Sequence, residues 1–240
     1  MLRRTLPAMA AASTIRQRGD PVLAQVCAPL SDVVLCNPDE PCISQLPLKV
    51  PAATTKAEQR PRLVSANEMF DDLHAALDQF RDSNGFGRGI AAPQLGYLAR
   101  AIAINFGSGD RHTLVNPEWK RRSSETMTMW DDCFSFPGHL VRVRRWKTGC
   151  LRFTGRDGGI EEWLKLDTGT CELLQHEMDH LDGRLSFARA APVKVPTALL
   201  DKHRKELELD TEGRVAILPR AVFEASKAEW IELVSPFVDN

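Results

Sequence analysis

Gln175-His176-Glu177-Met178-Asp179-His180 is the stretch around which the rest of the chain can be organised. His176 and His180 are four residues apart, so on a helix they stack one turn above the other and can share one metal ion. Glu177 points about 100 degrees round from His176, outside the pair but close enough to hold a metal-bound water and take its proton. The run sits in a helix expected over residues 168–182, opened by an Asp or Thr cap and closed by Gly183. The ordinary alternative is two exposed helix histidines, but the five-residue pattern would arise by chance in a chain of this length only about once in a hundred.

Two imidazoles do not complete a catalytic metal site, which needs three protein ligands and an open position. Cys133 and His203 are the candidates for the third donor. Cys133 stands in Trp130-Asp131-Asp132-Cys133-Phe134-Ser135-Phe136-Pro137-Gly138, a run that suits a strand end from which a thiolate could reach a neighbouring helix. The six cysteines, at 27, 36, 42, 133, 150 and 171, are scattered and form no C-x-x-C pair, which argues against a disulfide framework. A further segment, residues 85–94, is punctuated by Gly85, Gly87 and Gly89 and ends in Gln94. A substrate can approach such a backbone closely, and the Gln amide can donate a hydrogen bond.

Around these segments the 240 residues are 43% hydrophobic and 26% charged, an ordinary globular composition with enough apolar residues for a sizeable core. A net charge of -1 gives no overall attraction to nucleic acid or to an anionic membrane, so no direct nucleic-acid partner is expected. Lys120, Arg121, Arg122 and residues 142–147 are locally basic and read as solvated strand faces. No stretch approaches the roughly 20 apolar residues of a membrane span. Arg3, Arg4, Arg16 and Arg18, with Ser and Thr between them and no acidic residue before Asp20, have the make-up of an organellar transit segment. We expect it over residues 1–14, with the mitochondrial matrix as destination.

Residues 36–62 carry five prolines and no period, and read as a loop insertion. Ser65 and Glu68 then form a capping box for a helix over 65–82. Short strand-like runs follow at 101–104, 113–115, 140–143, 150–153 and 160–166. Two tail helices are expected at 196–209 and 219–234, with Leu199, Leu200, Leu207, Trp230 and Leu233 as packing residues. A helix, many strands and a helix indicate an α+β fold, antiparallel sheets packed around the central metal-binding helix. The domain would span 15–190, with a helical extension over 191–240.

Taken together, Gly87 to Gln94, Asp131 to Ser135 and Gln175 to His180 resemble, in this order, the three motifs of peptide deformylase: G-apolar-G-apolar-A-A-x-Q, E-G-C-apolar-S and Q-H-E-x-D-H. Gly19-Asp20-Pro21-Val22-Leu23, Val115-Asn116-Pro117 and Leu181-Asp182-Gly183 extend the likeness over about residues 15–190. The resemblance implies one divalent metal held by Cys133, His176 and His180, iron(II) first and zinc, nickel or cobalt as replacements. It also implies a water in the fourth place, whose proton Glu177 takes. The hydroxide would then attack the formyl carbon of N-formylmethionyl peptides or nascent chains, and Glu177 would protonate the leaving amine. Gln94 and the Phe134 N–H would complete the oxyanion hole with the metal, and the ribosome is a further partner in view. The peptide would bind as an added strand, with Gly87, Arg88, Gly89, Asp131 and Asp132 along its cleft.

Three of those cleft positions depart from the family pattern. Arg88 replaces an aliphatic residue of the methionine pocket, and Asp131-Asp132 replaces Glu-Gly. Opposite charges on two motifs that border one cleft predict that Arg88 pairs with Asp132 or Asp131 across it. Three readings follow: an active deformylase with shifted substrate preference, a deformylase-like binding module with little activity, and a zincin-type peptidase whose third ligand would be His203, Glu206 or Glu208.

Overall fold

The computed structural model describes residues 15–31, 48–50 and 62–234. The expected transit segment and most of the 36–62 insertion lie outside the described residues. Within the insertion, β1 (Leu48–Lys49) pairs antiparallel with β2 (Arg62–Leu63), which stands where the insertion ends.

Helix α1 (Ala66–Asn84) starts where expected, with Ser65 Oγ accepting from the Glu68 N–H at 3.0 Å. It ends at Gly85, whose φ of 76° closes the last turn in the left-handed region that glycine adopts freely. The main sheet follows in the order β3 (Gly89–Ala91), β4 (Ala101–Gly107), β5 (Asp110–Arg122), β8 (Gly149–Thr154), β9 (Ile160–Trp163), all antiparallel. Helices cover both faces of this sheet, which is why β4 reads as a nearly continuous apolar run instead of alternating. Ala101 and Ala103 pack with Met69, Phe70, Leu73 and Leu77 of α1. Ile102 and Ile104 pack on the other side with Leu174, Met178 and Leu181 of α2 (Thr168–Leu181).

Strand β5 is much longer than the 113–115 expected. Asn116-Pro117 looks like a breaker in sequence, but a bulge absorbs it: the register shifts between Val115 and Glu118, and Asn116 has φ 50°. The Asn116 side chain secures that bulge through both its amide atoms, accepting from Leu30 N at 2.9 Å and donating to Leu30 O at 2.6 Å.

A second antiparallel sheet has the order β12 (Ile217–Pro219), β7 (His139–Trp146), β6 (Thr126–Asp132). The strand end expected at Cys133 is the end of β6, while the span back to Thr126 was not among the expected strands; it pairs with β7 along its whole length. The tail also differs from two long helices. It forms β10 (Val193–Lys194), α3 (Thr197–His203), β11 (Arg214–Val215), β12, α4 (Arg220–Ala225) and α5 (Lys227–Ile231). Ser226, at φ -140° and ψ 42°, separates α4 from α5, and Gly213, at φ 71°, turns the chain into β11. Trp130 and Leu140 of the second sheet share one core with Leu199, Leu207, Leu218, Phe223 and Trp230, so the extension is built onto that sheet.

Candidate metal centre

Every residue of α2 from Cys171 to Leu181 is buried, because the helix lies between the main sheet and β6–β7. Asp167 caps it, with Oδ1 accepting from the Thr170 N–H at 3.0 Å. Gln175 fixes its rotation against β7: its amide accepts from Trp146 N at 2.8 Å and donates to Trp146 O at 3.0 Å.

This placement turns His176 and His180 toward the end of β6, where the chain leaves the strand at Cys133. Candidate ligand atoms of Cys133, His176 and His180 all lie within 4.8 Å of one another, and all three residues are buried. The two Nε2 atoms are 3.3 Å apart, and Cys133 Sγ is 3.4 Å from His180 Nε2. Asp131 accepts from His176 Nδ1 at 2.9 Å, which fixes the tautomer and leaves Nε2 facing the other two donors. One soft thiolate and two imidazoles converging in a buried pocket fit a four-coordinate divalent ion with one position left over.

The charges behind the site are arranged to keep Asp131 ionised. Burial works against its charge, but His176 and Arg145 outweigh that and hold the carboxyl well below the usual range. Arg145 donates to Asp131 at 2.9 Å and also pairs with Asp179, and Ser186 donates to Asp131 at 3.1 Å. His176 and His180 are driven apart. Burial opposes charge on His176, yet Asp131 and Cys133 raise it well above its ordinary value, whereas burial and then His176 lower His180.

Glu177 lies at the floor of a cleft of about 390 Å³ that also meets Arg88, Gln94, Asp132, Phe134 and His176. It is 3% exposed, its Oε2 has no hydrogen-bond partner, and burial pushes it up to about 7. Gly89 leaves room for it, since a Cβ there would stand 2.8 Å from Glu177 Oε1. Gln94 accepts from Ala91 N at 2.9 Å and donates to Ser135 Oγ at 3.2 Å, which orients the amide and leaves one N–H uncommitted. The Phe134 ring stacks on Phe80 at 3.7 Å between centroids, and no described residue accepts its backbone N–H. At Gly87, φ is 122° and a Cβ would meet the Phe134 ring at 2.7 Å, so glycine is required there on both counts.

The expected pairing of Arg88 with Asp131 or Asp132 does not occur. Arg88 pairs with Glu172, one turn before His176 on α2, and donates to Gly169 O at 3.1 Å. Asp131 is committed behind His176, so it positions a ligand and does not face the cleft as a free charge. Asp132 instead pairs with Arg220 of the tail, whose guanidinium lies 5.0 Å from the Phe86 ring centroid. The reason is reach: α2 and the tail both bring an opposite charge closer than the two motifs bring each other. Sequence reasoning missed Glu172, Arg145 and Arg220. Glu172, four residues before His176, had a signal in its helical spacing; the other two had none. His203, the zincin candidate, contacts Ser226 Oγ at 2.9 Å and is not part of the cluster.

A family model described as polypeptide deformylase matches residues 12–196. A peptide deformylase of Agathobacter rectalis is 31% identical over 172 residues, covering 72% of this chain and 85% of its own length. One from Thermotoga neapolitana is 35% identical over 127 residues, covering 53% and 75%. Among solved structures, the peptide deformylase of Thermotoga maritima has a TM-score of 0.57 at 23% identity, covering 76% of this chain and 100% of that one. The Met-Ala-Ser-bound class I type b enzyme of Acinetobacter baumannii has 0.56 at 23%, covering 75% and 99%. The tail beyond residue 196 lies outside the family match.

Proposed function

The chain belongs to the polypeptide deformylase family, and on that premise we propose that it removes the N-formyl group from the initiator methionine of newly made polypeptides, in mitochondria. The observation that carries this is the convergence of Cys133, His176 and His180 beside the unpaired carboxylate of Glu177. A divalent ion held by those three ligands, iron(II) in our reading, supplies Lewis acidity that acidifies water and polarises a carbonyl.

The chain's own groups do the rest. Glu177, raised by burial to about 7, can take a proton from water and return it to the leaving amine near neutral pH. The Gln94 amide and the Phe134 N–H are donors with capacity to spare on the cleft side, suited to a developing oxyanion. Asp131 holds His176 in the ligating tautomer. A formylated peptide would enter along Gly87 to Gly89. The Met-Ala-Ser complex of the Acinetobacter baumannii relative supports a methionyl peptide as occupant.

Formate release from formyl-Met-Ala-Ser, measured at low oxygen with iron(II)- or nickel-loaded protein, tests the assignment. We expect release that Glu177→Ala abolishes, and no release above that of Glu177→Ala would remove the enzyme reading. A second reading, a retained fold that binds without turnover, draws support from one feature: the Arg220–Asp132 pair lies over the cleft rim beside Phe86. In that case the same peptide binds with a measurable Kd and no formate appears.

A further inference from the structure

A second cleft is larger than the one beside the metal ligands. A cleft of about 950 Å³ lies between β7, α2 and the chain from residue 184 to 194. Its floor is the side of α2 that carries Gln175, Met178, Asp179 and Asp182, a stripe at helical spacing separate from the positions of His176, Glu177 and His180.

Seven Arg and Lys side chains line this cleft against two carboxylates, Asp179 and Asp182. Both carboxylates are already answered. Asp179 pairs with Arg145 and Arg189, and Asp182 with Arg100 at 2.8 Å. Arg142 is held by Ala191 O at 2.7 Å and Leu233 O at 2.9 Å. Arg144, Arg184 and Lys194 are exposed, and no described carboxylate pairs with them. Arg122 lies 4.5 Å over the Trp146 ring, and Trp146 meets Trp119 edge to face at 5.9 Å.

The cleft therefore combines a surplus of four exposed cations with two half-buried tryptophans. Cations alone would suit any polyanion. Adjacent aromatic rings add a surface on which bases stack, and the Arg122 guanidinium within 4.5 Å of the Trp146 ring centroid places a cation beside that surface. The basic runs at 120–122 and 142–147 look like solvated faces in sequence. The fold gathers Arg122, Arg144 and Trp146 from them and adds Arg184 and Lys194 from a distant segment. The net charge of -1 conceals this local excess.

We propose that this cleft binds single-stranded RNA, with Arg122, Arg144, Arg184 and Lys194 on phosphates and Trp119 and Trp146 stacking bases. The site is separate from the metal centre and does not depend on the deformylase reading.

The test is fluorescence anisotropy of a labelled 12-nucleotide single-stranded RNA of mixed sequence with the full chain, titrated between 50 and 200 mM salt. We expect binding whose log K falls with log salt at a slope of about -2 to -3, as three or four phosphate contacts dictate for a single strand. Tryptophan emission should be quenched. Arg144→Glu/Arg184→Glu/Lys194→Glu should weaken binding by about tenfold or more, while formate release and bound metal stay as in the parent. If that variant fails to fold, the triple Ala variant gives the same direction of change. Reversal of Arg204 and Lys205, basic residues outside this cleft, should change nothing. The proposal is overturned if RNA does not bind, if the Arg204/Lys205 reversal weakens it equally, if polyglutamate binds as tightly without quenching, or if ATP alone saturates the site at the RNA's affinity.

Discussion

Asp131 Oδ2 stands 2.9 Å from His176 Nδ1 and 2.9 Å from the Arg145 guanidinium, so one buried carboxylate joins a metal-ligand candidate to the structural charges behind it. Replacing it by Asn keeps the shape and removes the charge. We expect Asp131→Asn to weaken metal binding by about 10- to 100-fold, the usual effect of losing the partner behind a ligating His. Competition against a chelator measures this. Parent-like affinity would show that Asp131 serves the fold alone.

Arg88 and Glu172 stand or fall together. Burial raises the Glu172 carboxyl and Arg88 opposes the rise, so Arg88→Ile leaves a buried acid without its partner. Arg88 is 46% exposed, so the cost should be modest, about 1–2 kcal/mol in denaturant unfolding. Arg88→Ile/Glu172→Leu should recover that loss and, by making this wall apolar, lower KM for formyl-methionyl peptides. A double variant no more stable than Arg88→Ile would disprove the coupling.

Arg220 holds Asp132 and covers Phe86 at the cleft rim. Both partners are partly exposed, so Arg220→Ala should change stability by less than about 1 kcal/mol. Its effect should appear in substrate entry, as a several-fold fall in KM with little change in kcat. An unaltered KM would mean that the tail does not restrict the cleft.

His74 gives the fold a pH dependence remote from the metal site. Its Nε2 meets Thr113 Oγ1 at 2.9 Å, and burial, then Arg111 and Arg156, lower its pKa from 6.5, with Asp78 and Asp71 working the other way. The unfolded chain thus takes up this proton first as pH falls. The stability that His74 contributes is full above pH 6.5 and is lost as pH falls below it through the folded value. Urea midpoints measured from pH 7.5 to 5 should fall less steeply for His74→Gln than for the parent, and parallel curves would contradict this.

Much of the architecture was legible in the residues. The Ser65 cap on the Glu68 N–H and the left-handed Gly85 bound α1 closely, because both ends are set by local hydrogen bonding. The α+β class followed from periodicity, and the fold neighbours agree with it. β6 and the long β5 were harder to see. Thr126 to Asp132 becomes a strand through pairing with β7, and Asn116-Pro117 is tolerated because Leu30, far away in sequence, satisfies the bulge. The tail helices were overextended, since Ser226 and Gly213 break patterns that helix-forming composition alone would continue.

The donor spacing within one helix, His176 and His180 with Glu177 between, is a property of the sequence by itself, because four residues make one turn whatever surrounds them. Which charges meet across the cleft belongs to the tertiary structure. Arg88, Asp131 and Asp132 carry the charges that their motifs announce, yet their partners are Glu172, Arg145 and Arg220, with 13 residues or more between the members of each pair. A buried or half-buried charge is stabilised by the nearest opposite charge that the packed elements deliver, and that nearness exists only once helix, sheet and tail have come together.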